Sequence, residues 1–288
     1  MKVRLRAPAT SANLGSAFDC AGMALELWNE LEVSEAGSTL VEVEGEGVSE
    51  TPRDESHLGL QAFALIGGLE KKRFRFLNRI PFARGLGSSS ATIALGLAAA
   101  CLWEGAEPDP SELLPIATRL ESHADNLAAC LYGGVTLSWE EEGIWHGRRI
   151  ADSLPLAPIA VIPGHSVETV TSRAGLPSTV DHADAAYSSG RAALLGASLA
   201  TGDVELLIAS LDDRLHEPYR SEAAPLLAEL KAKPALGSVG VTLSGSGPTV
   251  IVWAQHEEAE VCTQELRQRF GDCDVLAAAL ATSGTHAY

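Results

Sequence analysis

The sequence predicts an α+β protein built in two halves, and three observations carry that expectation. Short alternating segments such as Val41-Glu42-Val43-Glu44 read as half-solvated strands, alanine- and leucine-rich runs such as Ile93 to Leu102 read as buried helices, and both kinds recur along the chain. With 288 residues, 46% of them hydrophobic and 20% charged, the chain has apolar side chains for one large core or two modest ones. A change in pattern near residue 155 divides the expectation into domains 1–155 and 156–288.

Taken in order, Val3 to Arg6 alternates as a strand and ends at a polar turn, Pro8 to Gly15. Gly22 to Val33 resumes apolar character, and Val41 to Glu44 reads as an antiparallel sheet edge before the turn Gly45-Glu46-Gly47. Ser56 to Gly67 is a short amphipathic helix and Arg73 to Asn78 an extended edge segment. Pro81 and Gly85 lead into a helix from Ala91 to Leu102, and Pro108 and Pro110 separate it from a second helix, Glu112 to Leu120. Tyr132-Gly133-Gly134 turns into a strand reaching Trp139, and Ile159 to Ile162 is extended up to Pro163-Gly164. The second half offers helices at Ala183 to Leu199, Val204 to Leu211, Glu222 to Leu230 and Glu257 to Phe270. Among them lie strands at Val239 to Leu243, Val250 to Trp253 and Val275 to Leu280.

A formal net charge of −17 opposes binding to nucleic acid or to anionic lipid. The basic run Lys71-Lys72-Arg73 with Arg75 is short and interrupted by Phe74 and Phe76. The five cysteines form no Cys-x-x-Cys pair, which reads as buried thiols in a reducing compartment. With neither a signal-peptide core nor about twenty uninterrupted apolar residues, the expectation is a cytoplasmic protein with no nucleic-acid or membrane partner. An acidic protein that takes an anionic ligand must gather its few cations in the cleft or recruit a divalent metal.

A glycine loop and four further polar clusters follow from that requirement. Arg84-Gly85-Leu86-Gly87-Ser88-Ser89-Ser90-Ala91-Thr92 places a glycine turn and three hydroxyls before a helix. That order suits a polyphosphate, because glycine admits close backbone approach and a helix start offers unpaired N–H groups. It lacks the lysine of a P-loop and the Gly-x-Ser-x-Gly elbow of a hydrolase. Thr10-Ser11-Ala12-Asn13-Leu14-Gly15 with Asp19 is either a self-satisfied turn or a surface on which Asn13 and Asp19 face a polar ligand. Glu121-Ser122-His123-Ala124-Asp125-Asn126 reads as a helix-ending turn; its spacing is poor for zinc, but Glu121 alone suffices for Mg2+ when phosphates and water supply the other oxygens. Leu243-Ser244-Gly245-Ser246-Gly247-Pro248-Thr249 is a tight turn between strands, either structural or packed against the glycine loop. Arg173 and Arg220 supply fork-like donors suited to a carboxylate.

In this order the clusters resemble the GHMP kinase superfamily and, within it, the homoserine kinase family. The likeness runs from Pro8 to Gly22, through Pro81 to Thr92, Glu121 to Asn126 and Gly133-Gly134. It continues through Arg173-x-x-Leu176-Pro177 and Asp213-x-x-His216-x-Pro218-Tyr219-Arg220 to Leu243 to Thr249. The resemblance implies a two-domain fold, ribosomal S5 domain 2-like in its N-terminal half and ferredoxin-like in its C-terminal half, with the site between them. It implies ATP phosphates over Arg84, Gly85, Leu86, Gly87, Ser88, Ser89 and Ser90, with Mg2+ held by Glu121 and Ser89. It places Asn13, Asp19, His123, Asp125, Asn126, Arg173 and Arg220 around L-homoserine, with Ser244, Gly245, Ser246 and Gly247 as a supporting loop. The implied reaction is ATP-dependent phosphorylation of the L-homoserine hydroxyl, a step of threonine biosynthesis; a homodimer is also implied. Asn126 stands where many relatives carry an aspartate base, so it orients the hydroxyl, and the proton leaves late toward the transferred phosphate. Another small-molecule alcohol kinase of the superfamily, or a noncatalytic nucleotide-binding protein, are the alternatives. Ser16-Ala17, His57, Ser122 and Ala124 depart from the family pattern.

Overall fold

The computed structural model describes residues 1–166, 169–220 and 224–288. Its first half runs β1 (Lys2–Ala12), β2 (Ala21–Glu35), β3 (Leu40–Gly45), α1 (Leu58–Ala64), β4 (Lys72–Asn78), α2 (Ser88–Trp103), α3 (Pro110–Ala117), α4 (Ala124–Tyr132), β5 (Val135–Glu141) and β6 (Ile144–Ala151). The second runs β7 (Ala157–Pro163), α5 (Thr169–Ala174), α6 (His182–Thr201), α7 (Val204–Ser210), α8 (Glu217–Arg220), α9 (Pro225–Ala232), β8 (Ser238–Leu243), β9 (Val250–Ala254), α10 (Ala259–Arg269), β10 (Cys273–Ala277) and β11 (His286–Ala287).

Two sheets organise these elements. The larger has the order β11-β1-β2-β4-β3, with β5 also paired to β2 and β6 to β5; the smaller has the order β10-β7-β9-β8 and is antiparallel throughout. The chain end returns to the larger sheet, where Leu5 faces Ala287 and Arg6 faces His286. One continuous core joins the sheets: Leu5, Phe74 and Ile93 belong to the same buried cluster as Leu156, Ile162 and Trp253. A smaller cluster around Val161, Leu227, Val252 and Leu266 lies under α9 and α10. Removing such a buried aromatic ring costs about 3–5 kcal/mol, so this core holds the two sheets, and the polar residues between them, in one arrangement.

The structure corrects several expectations. β1 does not end at Pro8; it continues to Ala12, with a register irregularity at Pro8/Ala9, because Thr10 and Ser11 pair across to Ala24 and Met23. β3 pairs with β4 in parallel, the chain crossing over through α1, and β4 lies inside the sheet between β2 and β3. Residues 121–126 do not simply end a helix; α4 begins at Ala124. β6 has no counterpart among the expected strands, and the last β-segment of the smaller sheet ends at Ala277, with Leu280 making an isolated bridge to Leu25. α9 starts at Pro225; Glu222, expected to open that helix, lies outside the described residues.

Candidate active site

Between β4 and α2 the backbone is wound into the left-handed region at Ala83 (φ 54°), Gly85 (φ 78°) and Gly87 (φ 67°). A Cβ on Gly85 would meet the Ser244 carbonyl, and one on Gly87 would meet Thr10 Oγ1, so glycine is required at both by conformation and by space. Three segments grip this loop. Thr10 N–H donates to the Leu86 carbonyl at 3.0 Å, Ser244 Oγ donates to the Gly85 carbonyl at 2.6 Å, and Thr249 N–H donates to the Arg84 carbonyl at 3.3 Å. Gly87 is the N-cap of α2, and with no side chain capping that end the first N–H groups of a 16-residue helix are left for a ligand or water. Glu121 Oε2 accepts from Ser89 Oγ at 3.0 Å and Ser90 Oγ at 3.2 Å, which brings a carboxylate to the same helix end.

The facing wall is charged. The turn after β1 passes through left-handed Asn13 (φ 73°), Leu14 (φ 47°) and Asp19 (φ 55°). Asn13 is buried and braces the wall in both directions: its Nδ2 donates to the Gly245 carbonyl at 3.1 Å, and its Oδ1 accepts the Asp19 N–H at 3.1 Å. Asp19 is paired through both carboxylate oxygens with Arg173 of α5. Arg220, buried at the end of α8, lies with its guanidinium carbon 5.3 Å from the Phe18 ring centroid, and that of Arg173 is 5.5 Å from the same ring. The ring quadrupole attracts both cations and offsets part of their mutual repulsion.

The start of α4 closes the site between these walls. Asn126 Oδ1 accepts from Thr10 Oγ1 at 2.7 Å, and its N–H and Nδ2 donate to Asp125 Oδ1 at 2.6 and 3.3 Å. Burial pushes the Asp125 carboxyl up to about 6, and the charges of Asp19 and Glu121 act in the same direction. His123 is raised by its contact with Glu121, whose Oε1 lies 3.7 Å from Nδ1; its Nε2 is buried without a partner among the described residues.

These elements enclose one cavity of about 390 Å³. Asn13, Asp19, Arg84, Gly85, Leu86, Gly87, Ser88, Ser89, Glu121, His123, Asp125, Asn126, Arg173, Arg220, Gly245 and Ser246 all line it. Ser90, Ser244 and Gly247 stand behind the wall, Ser90 and Ser244 bonded to residues that form it. Sequence reasoning missed Phe82 and Ala83, which also line the cavity, and the bracing of Asn126 by Thr10. Nothing in a Pro-Phe-Ala run signals a left-handed alanine, and the Thr10 contact spans 116 residues. Of the departures, His57 is buried and caps α1, its Nδ1 accepting the Gly59 N–H at 3.0 Å, while Ala124 takes the first position of α4. Among the described residues no group of three or more His, Cys, Asp or Glu is placed to hold a metal ion. Glu121 beside Ser89 nonetheless fits a divalent cation that takes its remaining ligands from phosphate and water.

Residues 56–134 match the GHMP kinases N-terminal domain and residues 194–272 the GHMP kinases C-terminal domain, the class to which this two-sheet fold and its glycine loop correspond. The homoserine kinase of Streptomyces coelicolor is 44% identical over 90% of this chain and 86% of its own length. That of Desulfitobacterium hafniense is 38% identical over 92% of this chain and 91% of its own. The crystal structure of homoserine kinase from Cytophaga hutchinsonii superposes with a TM-score of 0.89 at 26% identity, covering 100% of this chain and 97% of the other. The chain belongs to the homoserine kinase family of the GHMP kinases.

Proposed function

We propose that this protein transfers the terminal phosphoryl group of ATP to the side-chain hydroxyl of L-homoserine, forming O-phospho-L-homoserine. The observation that carries the reading is the pairing of two unlike walls in one cavity: an uncapped helix start beside Glu121 and Ser89, facing an acid and two arginines. The first suits a polyphosphate. The second suits a small zwitterion, whose ammonium would replace Arg173 at Asp19 while its carboxylate takes Arg173 and Arg220. Exchanging one ion pair for two new ones offsets part of the cost of desolvating both ligand charges.

Residues 1–155 then supply the nucleotide side, and residues 156–288 contribute the arginines and the supporting loop. The helix start and the backbone of the glycine loop bind the phosphates, and Glu121 with Ser89 would hold Mg2+. When bound, that ion neutralises charge on the phosphate oxygens. Asn126, fixed by Thr10, orients the substrate hydroxyl for in-line attack, and no carboxylate takes the proton beforehand. Alignment and charge stabilisation supply the rate.

The test is ATP turnover by the purified protein with homoserine, threonine, mevalonate and galactose as competing acceptors. The expected outcome is a kcat/KM for homoserine at least about tenfold above the others, a difference of about 1.4 kcal/mol in transition-state binding. Equal or greater turnover of mevalonate or galactose would make it a different alcohol kinase, and nucleotide binding without transfer to any of them would end the enzymatic reading.

A further inference from the structure

His216 touches Arg220 from behind the cavity wall, and both of its ring nitrogens are engaged. It is fully buried and stacks on Phe18 with ring centroids 4.9 Å apart. Nε2 lies 2.9 Å from the Gly15 carbonyl, which can only accept, so Nε2 carries the proton. Nδ1 lies 3.1 Å from Nη1 of Arg220, which can only donate, so Nδ1 keeps its lone pair. Asp213 does not compete for the ring proton: its carboxylate, 3.6 Å from Nε2, already accepts the N–H groups of Leu215, His216 and Glu217 and the hydroxyl of Ser188. Burial holds the imidazole at about 4, so the ring is neutral at ordinary pH and its lone pair is available.

The consequence lies in the arginine. Nη1 of Arg220 has two hydrogens, and His216 Nδ1 and the Gly245 carbonyl, at 3.1 and 3.0 Å, take both. Nη1 therefore has nothing left to give a ligand. Nε is buried without a partner among the described residues, so a two-pronged bond to a carboxylate must use the Nε–Nη2 edge.

We propose that His216 is a positioning residue for carboxylate recognition: by accepting from Nη1 it turns Arg220 so that the Nε–Nη2 edge meets the substrate carboxylate. Through Gly15 it also ties that orientation to the turn carrying Asn13 and Asp19, which sets the spacing between the carboxylate and ammonium subsites. This inference rests on the homoserine reading above and adds to it the group that selects which face of Arg220 is used.

Two near-isosteric variants separate the two bonds. His216→Asn places an amide oxygen near the Nδ1 position and keeps an acceptor for Arg220, whereas His216→Gln places its amide near Nε2 and keeps only a donor for Gly15. Each is purified, its thermal unfolding checked, and its KM measured for homoserine and for ATP. The expected result is a homoserine KM raised about tenfold to a hundredfold in His216→Gln, the scale of one lost bond to a charged group. His216→Asn should stay within about threefold of the parent, and the ATP KM and kcat of both within about twofold. In an Arg220→Ala background, adding His216→Gln should change the homoserine KM less than about twofold, because the residue it positions is gone. Equal effects of the two variants, a parallel fall in kcat and ATP affinity, or full additivity with Arg220→Ala would overturn the proposal while leaving homoserine as substrate. A parent protein that prefers an alcohol lacking a carboxylate would overturn both readings.

Discussion

Around Gly85 and Gly87 the cavity wall is backbone and hydroxyl, and its cation, Arg84, is turned onto the Gly164 carbonyl 3.0 Å away. The facing wall brings together Asp19, Arg173 and Arg220, cross-braced by Asn13, and Asp125 at the start of α4 adjoins it. The first surface offers fixed dipoles suited to negative charge, which makes it tolerant of the protein's net charge of −17 and intolerant of added atoms. The second surface balances its charges against one another before any ligand arrives. It should respond to changes of charge more than to changes of volume.

The largest effect is expected at the carboxylate beside the glycine loop, the wall proposed to take the nucleotide. Glu121→Ala removes the carboxylate beside Ser89 and Ser90. With the fold retained, kcat should fall by about 10²–10³, the range for losing one element of transition-state charge stabilisation. A loss under tenfold at saturating Mg2+ would show that the metal is held elsewhere.

Gly87→Ala probes the same wall through volume and backbone strain, with no change of charge. The left-handed backbone costs an L-residue about 1–2 kcal/mol, and the new methyl would press on Thr10 Oγ1, which itself braces Asn126. We expect kcat/KM for ATP to fall about 10²-fold while the homoserine KM changes less than about threefold. A uniform loss for both substrates would mean that the two walls are not mechanically separate.

Beside the charged wall, Asp125→Asn should act on stability and activity in opposite directions. The folded-state carboxyl is raised from 3.8 to about 6 by burial, so the native protein holds that proton more tightly than the unfolded chain. Stability is therefore lost as pH rises from about 4 to about 6, and the penalty is complete above that window, at up to about 3 kcal/mol. The asparagine variant, which keeps an oxygen for the Asn126 N–H, should be more stable than the parent at pH 8, with the difference vanishing toward pH 4. Its kcat/KM for homoserine should nevertheless fall about tenfold. Denaturant titrations at pH 4 and 8 check the sign, and a variant less stable at pH 8 would show that the charge is better solvated than its burial suggests.

The two walls also differ in how far the sequence reveals them. The glycine loop is a local device: turn residues, hydroxyls and an apolar helix follow one another in nine residues, and α2 begins within three residues of its expected start, drawing the serines into its first turn. The charged wall is assembled from segments more than 150 residues apart, such as Asp19 and Arg173, and only the ordered likeness to a known family linked them. Thr10 and Ser11 show the same limit. They read as turn residues because they are polar, yet both are buried in a strand, satisfied by Asn126 and Ser244 from distant parts of the chain. The direction of β3 has no local signature either, since parallel and antiparallel partners present the same alternation along one strand. α4 was hidden by its shortness: nine residues that open on a polar run and stop at Gly133, whose φ is 70°.

Asn126 sits where the walls meet, and changing it should have the smallest effect in this series. Asn126→Asp supplies a carboxylate that could act as a base at this position, and Thr10 Oγ1 can still donate to it. The substitution also deletes the donor to Asp125 and places a second acid beside one whose ionisation burial already opposes. Two adjacent acids in a half-buried site share a proton over part of the working range, so the new group is a poor base when ionised alone and a repulsive one when both are charged. If alignment rather than proton abstraction limits the transfer, kcat should drop less than about tenfold and should not rise at any pH between 6 and 9. A gain above about threefold in that range would show that the parent is limited by the missing base, and would break the view that Asn126 serves by holding the hydroxyl in line.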